Sequence, residues 1–228
     1  MSALSLAVDG SIYAGSVALL RNAAVIAERT LATGAPVSRG GRAEEMLPLV
    51  AECLDQCGIG VSQLTRVVCG AGPGSFTSLR IAASVAKGLA VGAGCPLFAV
   101  SSIVLAVAGV PEPLEAGSYL SLLPAMRGES FAAEVSVDAA GRIEQLSPVR
   151  IVADEDVAGI AERARAVTIG PGWTVDVQPH ARGVGRLLVG VIEGGACAIA
   201  TWEPDYGRLA EAQVKWEAVH GRPLFMSA

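Results

Sequence analysis

Apolar residues alternate with polar ones along the first thirty residues, and this pattern predicts three short strands. The strands are expected at residues 4–8, 13–20 and 23–30. They are separated by Asp9-Gly10-Ser11 and by Arg21-Asn22, both of which have the composition of hairpin turns. The beginning of the chain is therefore expected to form an antiparallel meander.

The next apolar residues have helical spacing. A loop rich in glycine, proline and serine precedes them at residues 33–41, and Gly58 follows them as a stop signal. Pro48 is compatible with the first turn of a helix, so the helix is expected to begin at residue 44 or 45 unless it is kinked at the proline. The apolar positions of this helix are Met46, Leu47, Val50 and Leu54.

A buried strand predicted at residues 64–70 runs into the sequence GAGPGS at residues 70–75, which we call the glycine loop. A second helix follows at residues 76–92, and its many small residues permit the close approach of another helix. Closely spaced glycines between a strand and a helix let the backbone approach an anion, and the helix N-terminus offers free N–H groups. The candidates for an anion site are Asp9, Gly72, Gly74 and Ser75.

Two interpretations of the glycine loop stay open on the residues alone. Against phosphate binding, no lysine follows Gly74 as a P-loop requires, and Ser75 stands where a dinucleotide-binding fingerprint has its third glycine. The alternative is a loop that only turns the strand into the helix, with Ser75 as N-cap. Asp9 has the same two interpretations, because an Asp-Gly pair can hold magnesium beside a phosphate or form a plain turn.

The pattern partly repeats in the second half of the chain. A strand at residues 97–100 and a short helix up to residue 108, capped by Ser101 or Ser102, precede a linker at residues 110–114. Further strands are expected at 119–123, 130–137, 142–146 and 167–169, and a helix at 154–166 with Asp154 as N-cap. Gly-Pro-Gly follows a strand in both halves, which leaves an internal duplication open.

The linker divides the chain into a first part at residues 1–109 and a smaller second part at residues 110–228. With 228 residues, 52% of them hydrophobic, the chain can bury a substantial core. We expect a cytoplasmic protein that is not bound to a membrane, because no signal peptide or membrane-spanning run is recognisable.

Charge and chemistry exclude several classes of function. The net charge is −5 and no block of Lys or Arg occurs, which argues against a nucleic-acid-binding surface on this chain alone. The five cysteines form no C-x-x-C pair and are expected to be reduced thiols. His180 and His220 are expected to be single surface histidines, since they form no metal-binding pair and no G-x-S-x-G elbow accompanies them. We therefore expect no catalytic and no metal-binding residues.

Five segments of the chain carry a resemblance to a known family. They are LAVDGSIYAGSVALL, AEEMLPLVAECL, GAGPGSFTSLRIAASVAKGLA, PLFAVSSIVLAVAG and EPDYGRLAEAQVKW, which occur in this order over most of the chain. The chain resembles the TsaB (YeaZ) family, the dimerization subunit of the bacterial tRNA threonylcarbamoyladenosine biosynthesis complex. The block Gly-Pro-Gly-Ser-Phe-Thr-x-Leu-Arg is the most specific of these motifs.

The resemblance implies an α/β fold of the actin-like ATPase (ribonuclease H-like) class, with two lobes that are each a mixed sheet with flanking helices. Residues 1–109 would form the first lobe and residues 110–228 the second, whose last helix is expected to pack back on the first lobe. It also implies a non-catalytic scaffold for a larger paralogue, TsaD, which transfers threonylcarbamoyl to adenosine beside the tRNA anticodon. A TsaE-like ATPase joins the complex, and the chain alone forms a homodimer. Transfer RNA would be met only through the complex, and ATP or ADP would bind at the complex rather than on this chain.

In the family, the two helices that flank the glycine loop pair with the same helices of a partner. The resemblance therefore places a partner interface on residues of both predicted helices: Met46, Leu47, Val50, Leu54, Phe76, Leu79, Arg80, Ala83 and Ala86. The other interpretation of the two apolar stripes is that both face the sheet, because a helix on an open sheet must bury one face.

The chain also departs from the family pattern. The histidine pair of the catalytic paralogue is missing from residues 42–50, which agrees with a scaffold and disfavours the metalloprotease of older family naming. The chain has Gly10 where the family has Thr, Ser78 where it has Gly, and Gly207 where it has Leu in a closing Pro-x-Tyr-Leu-Arg. Residues 124–127, Pro124-Ala125-Met126-Arg127, replace an Asp-Ala-Arg motif. An actin-like phosphotransferase that uses Asp9 and the glycine loop stays the alternative function.

Overall fold

The computed structural model describes residues 2–31, 45–208 and 219–220. Two mixed sheets, each flanked by helices, account for most of these residues. No helix in this part of the chain is both long and apolar enough to span a membrane.

The first sheet and its helices come from the first half of the chain. Their elements are β1 (Leu4–Asp9), β2 (Ser16–Arg21), β3 (Ala24–Thr30), α1 (Met46–Cys57), β4 (Arg66–Gly70), α2 (Phe76–Ala93) and β5 (Leu97–Val100). Helix α3 (Ser102–Ala108) follows β5 and packs mainly against strands of the second sheet. The strands and helices predicted here are all present, and no end is shifted by more than three residues.

The second sheet follows. Its elements are β6 (Gly117–Met126), β7 (Glu129–Val137), β8 (Ile143–Gln145), β9 (Arg150–Ala153), α4 (Val157–Ala164), β10 (Val167–Gly170) and β11 (Val175–Asp176), and α5 (Val184–Glu193) comes after it. The predicted helix at 154–166 is shorter than expected, because a 3-10 turn at Asp154–Asp156 precedes α4. The side chain of Asp154 accepts a hydrogen bond from Ser130 and does not cap the helix.

Both sheets have the same strand arrangement. The first has the order β3-β2-β1-β4-β5, and the second has β8-β7-β6-β10-β11, with β9 also paired to β7. In each, the first three strands along the chain are antiparallel, and the last two are parallel to the strand in the middle. This repeated order agrees with an internal duplication.

Helices α1 and α2 cover one face of the first sheet. Helix α1 begins directly after Glu45, so Pro48 lies in its first turn, where a missing N–H costs nothing. Gly58 ends it in the left-handed conformation, with φ of 62°. Buried side chains of both helices pack against apolar residues of β1, β2 and β4.

The opposite face of the first sheet is covered by α5. Val184, Leu188 and Val191 pack against apolar residues of β1, β2 and β4. At Gly185 a Cβ atom would overlap the carbonyl oxygen of Ala23, so glycine allows α5 to lie directly on the β2–β3 hairpin. Residues 181–193 thus pack on the first sheet although they follow the second one in the sequence. Of the helix expected near the chain end, only residues 219–220 belong to the described part.

Candidate functional site

The glycine loop connects β4 to α2, and the protein's own backbone occupies the space around it. A Cβ atom at Gly74 would overlap the carbonyl oxygen of Ser11, and one at Gly72 would overlap the carbonyl oxygen of Asp205. The Ser75 N–H donates a 2.7 Å hydrogen bond to that same Ser11 oxygen. The glycines are therefore needed so that the β1–β2 hairpin and residue 205 can approach the loop.

Other polar groups of the loop also have partners within the chain. The Gly72 N–H donates to the Ser102 hydroxyl at 3.1 Å, and the Gly72 carbonyl accepts from the Ser102 N–H at 2.9 Å. The Ala71 carbonyl accepts from the Asp205 N–H at 2.8 Å. This bonding leaves less of the loop available for an anion than its glycine content suggests.

Asp9 is fully buried at the end of β1, and both of its carboxylate oxygens accept hydrogen bonds. Oδ1 accepts from the N–H of Ser11 at 3.1 Å and from its hydroxyl at 2.7 Å, while Oδ2 accepts from the Ser102 hydroxyl at 2.6 Å. Burial raises the pKa of Asp9 above its usual value, although the hydrogen bonds from Ser102 and Ser11 act in the other direction. A carboxylate that is held in this way resembles a structural group more than a magnesium ligand.

Ser75 occupies the N-cap position of α2, as predicted, but its side chain does not cap the helix. Its hydroxyl donates instead to the Ser78 hydroxyl at 3.1 Å. Ser78 is buried, and a Cβ atom at Gly10 would lie 2.7 Å from its carbonyl oxygen and 2.8 Å from Ala82 Cβ. Two of the departures from the family pattern, Gly10 and Ser78, are therefore in contact with each other.

The residues expected at a partner interface divide into two groups. Leu47 is 53% exposed, Phe76 is 37% exposed and Arg80 is exposed as well. The others face the chain's own core: Met46, Val50, Leu54, Leu79, Ala83 and Ala86. Met46, Val50, Leu54 and Ala86 pack with apolar residues of the first sheet, because each helix must bury one face against the sheet. Leu79 and Ala83 are also buried. In the described structure, these buried residues are not accessible to a partner.

The outward side of the two helices carries a different set of residues, which we call the outer face. Gly88 has open space around its Cα atom, so a helix from a partner could approach the backbone of α2 there. The helical periodicity that predicted α2 did not distinguish the exposed small residues Ser84 and Gly88 from the buried alanines of the same helix. The outer face consists of Leu47, Ala51, Phe76, Arg80, Ser84 and Gly88.

The departure at residues 124–127 lies at the tip of the β6–β7 hairpin. Met126 and Arg127 have φ angles of 73° and 59°, and the Met126 side chain is exposed. Ala125 packs with apolar residues of β6, β7 and β10 in the core beside the second sheet. The segment therefore forms the end of β6 and the first residue of the hairpin turn.

His180 is not on the surface, contrary to the prediction. It is buried between β3 and the start of α5, where its Nδ1 accepts from the Arg182 N–H at 3.0 Å and its Nε2 lies 3.0 Å from the Thr30 hydroxyl. Burial, assisted by the charge of Arg182, lowers the pKa of His180 to about 4, so the ring is neutral at pH 7. Within the described ranges, no three His, Cys, Asp or Glu side chains come together as a metal site.

The chain is similar in sequence to proteins of one modification pathway. The family model described as TsaD, tRNA N6-adenosine threonylcarbamoyltransferase, matches residues 40–162. The tRNA threonylcarbamoyladenosine biosynthesis protein TsaB of Escherichia coli K12 is 31% identical over 74% of this chain and 71% of the relative. The TsaB of Bacillus subtilis 168 is 30% identical over 92% of this chain and 96% of the relative.

A solved structure has the same fold. YeaZ from Pseudomonas aeruginosa superposes with a TM-score of 0.73 at 24% identity, over 90% of this chain and 99% of that one. The predicted fold class, an actin-like (ribonuclease H-like) α/β fold with two mixed sheets, is confirmed by this likeness and by the strand order. Together with the two TsaB relatives, these matches establish that the chain belongs to the TsaB (YeaZ) family.

Proposed function

We propose that this chain is a non-catalytic scaffold, a dimerization subunit that binds a TsaD-like paralogue. In this role it supports threonylcarbamoyl transfer to the adenosine next to the tRNA anticodon. The names of the TsaB relatives support a part in tRNA modification. Within the complex, a TsaE-like ATPase is a further partner, tRNA is contacted only through the complex, and the isolated chain forms a homodimer.

The observation that carries the proposal is the outer face of α1 and α2. Leu47 and Phe76 expose apolar surface on it, and the small side of α2 at Ser84 and Gly88 leaves room for a second helix. An exposed apolar strip beside small residues suits helix-to-helix association. The glycine loop supports the proposal that the chain is not catalytic, because Ser11, Ser102 and Asp205 already fill the space and use the polar groups around the loop.

Reconstitution tests the proposal. The TsaD-like paralogue from the same cell is assayed for tRNA threonylcarbamoylation with and without this chain, and the chain is also assayed alone with MgATP. We expect modification to depend on the chain, and we expect the chain alone to hydrolyse nothing. Full activity of the paralogue without the chain would contradict the proposal, and so would ATP turnover by the chain that Asp9→Ala abolishes.

A pair of matched variants locates the interface. Leu47→Glu places a charge on the outer face, and Val189→Glu places the same charge on α5 at a side chain that is 72% exposed on the other side of the first sheet. Both should fold, because neither side chain is buried. We expect Leu47→Glu to weaken binding of the paralogue by at least about tenfold, as a charge buried at a helix interface costs ~1.4 kcal/mol or more. Val189→Glu should bind normally, and the opposite result would move the interface to α5.

A further inference from the structure

Residues 204–208, Pro204-Asp205-Tyr206-Gly207-Arg208, cross from the first half of the structure to the second, and we call them the strap. This segment corresponds to the closing motif noted in the sequence. The Asp205 side chain shapes its bend, because Oδ1 accepts a 2.8 Å hydrogen bond from the Gly207 N–H. Such a local bond stiffens a short segment and holds its two ends in a fixed relation.

One end of the strap is attached to the glycine loop and α2. The Asp205 N–H donates to the Ala71 carbonyl at 2.8 Å, and the Asp205 carbonyl fills the space that a Cβ atom would need at Gly72. The ring of Tyr206 packs on Phe76, the first residue of α2, with ring centroids 4.4 Å apart and planes inclined by 43°. These contacts fix the strap to the first half and also hold the Phe76 ring in place.

The other end is attached to β7 of the second sheet. The Arg208 Nη2 atom bonds Glu129 Oε2 at 2.7 Å, and the Arg208 guanidinium lies 5.9 Å from the centroid of the Phe131 ring. Gly207 has φ of 69°, and a Cβ atom there would collide with the Phe131 ring. Glycine at this position therefore lets the strap lie directly on Phe131.

We propose that the strap is a latch that couples the two halves of the molecule. Its five residues carry a hydrogen bond and a ring contact on the first half, and an ion pair and a cation–ring contact on the second. Because the bend at Asp205 is stiff and Gly207 sits tightly on Phe131, release of one end removes the geometry that the other end needs. The latch joins residues within this chain, so it goes beyond the proposed function.

Hydrogen exchange on the full chain tests the coupling. One end of the strap is changed, and the exchange rate is measured where the other end is attached. Tyr206→Ala removes the ring contact on the first half, and Arg208→Gln removes the ion pair on the second. We expect Tyr206→Ala to speed exchange in peptides that cover residues 129–131. We expect Arg208→Gln to speed it in peptides that cover residues 71–76. Each increase should be at least about fivefold, the factor that corresponds to ~1 kcal/mol of lost coupling.

Conservative variants and an internal reference control the test. Tyr206→Phe keeps the ring and Arg208→Lys keeps the charge, so the amide exchange rates of both variants should equal those of the original protein. Arg150→Gln, which removes an exposed arginine from β9, should also leave the exchange rates unchanged. Amides of α4 serve as the folding reference. If Tyr206→Ala also destabilises α4, Tyr206→Leu is used in its place. This variant keeps apolar volume but lacks the ring. If each variant speeds exchange only at its own end, the latch proposal is wrong.

Discussion

The Ser102 hydroxyl donates a 2.6 Å hydrogen bond to Asp9 Oδ2, and it accepts one from the Gly72 N–H at 3.1 Å. One side chain at the start of α3 thus joins the end of β1 to the glycine loop. Three segments that are far apart in the sequence meet at this hydroxyl. The carboxylate that first suggested phosphate chemistry is therefore part of the packing of the first sheet.

Removal of the Asp9 carboxylate should destabilise the fold. Asp9→Ala leaves the Ser11 and Ser102 hydroxyls without their acceptor in a buried site, at an expected cost of about 2–4 kcal/mol in the free energy of unfolding. Urea unfolding at pH 7 measures this cost. Ser62→Ala, which changes an exposed hydroxyl in the 3-10 turn after α1, should cost less than about 0.5 kcal/mol and serves as the control.

Asp9 should also give the stability a recognisable pH dependence. Burial raises its pKa above 3.8, so above that pH the unfolded chain releases a proton that the folded chain still holds. The contribution of Asp9 to stability therefore falls as pH rises from about 4. We expect the unfolding free energy of the original protein, minus that of Asp9→Asn, to decrease between pH 4 and pH 7. A difference that increases over this range would contradict the raised pKa.

The contact between Gly10 and Ser78 offers a test of whether these two residues are energetically coupled. A side chain at residue 10 would press on the Ser78 carbonyl and on Ala82, so Gly10→Thr alone should destabilise the chain by about 2–3 kcal/mol. Ser78→Gly in the same chain gives the start of α2 room to move. We expect a coupling energy of at least ~1 kcal/mol in the double-mutant cycle, measured by urea unfolding. Additive effects would mean that the two departures are independent.

The sequence predicted the elements around the glycine loop because each has a strong local signal. Met46, Val50 and Leu54 recur at helical spacing, and Gly58 supplies the left-handed end that the helix needs. Helix α5 was missed because glycines at 183, 185 and 190 interrupt its apolar pattern and resemble breakers. Two of them have a tertiary role, since Gly185 meets the Ala23 carbonyl and Gly183 packs against Ala108 and Gly109.

The candidate site was harder to predict, because its character depends on contacts between distant segments. Gly72 and Gly74 look alike in the sequence to a phosphate loop, but Asp205 and Ser11 fill the space beside them. Likewise, helical periodicity finds an apolar stripe at Met46 without telling whether a sheet or a partner covers it. The sequence contained the closing motif at residues 204–208, but its contact with Phe131 arises only from the fold.

Acid should weaken the protein through His180. Its pKa is lowered to about 4, so below pH 6.5 the unfolded chain takes up a proton that the folded chain excludes. Between pH 7 and pH 4.5 this costs about 2–3 kcal/mol of unfolding free energy. His180→Asn keeps an acceptor for the Arg182 N–H but cannot titrate. The original protein should therefore lose about 2–3 kcal/mol more than this variant over that range in urea unfolding. Equal losses would show that the pKa of His180 is not lowered in the folded chain.

A substitution at Gly88 tests whether the outer face binds a partner helix or is only exposed to solvent. Gly88 lies on α2 with open space around it, and Gly190 lies in the same situation on α5, on the other face of the first sheet. Replacement of either glycine by leucine should stabilise the isolated chain by up to ~1 kcal/mol, because leucine favours a helix over glycine. Only Gly88→Leu blocks the close approach of a partner helix. We expect it to weaken self-association and binding of the TsaD-like paralogue by at least about tenfold in sedimentation experiments, with Gly190→Leu unchanged. Equal binding by both variants would exclude close helix packing at Gly88, even if Leu47 contributes to the interface.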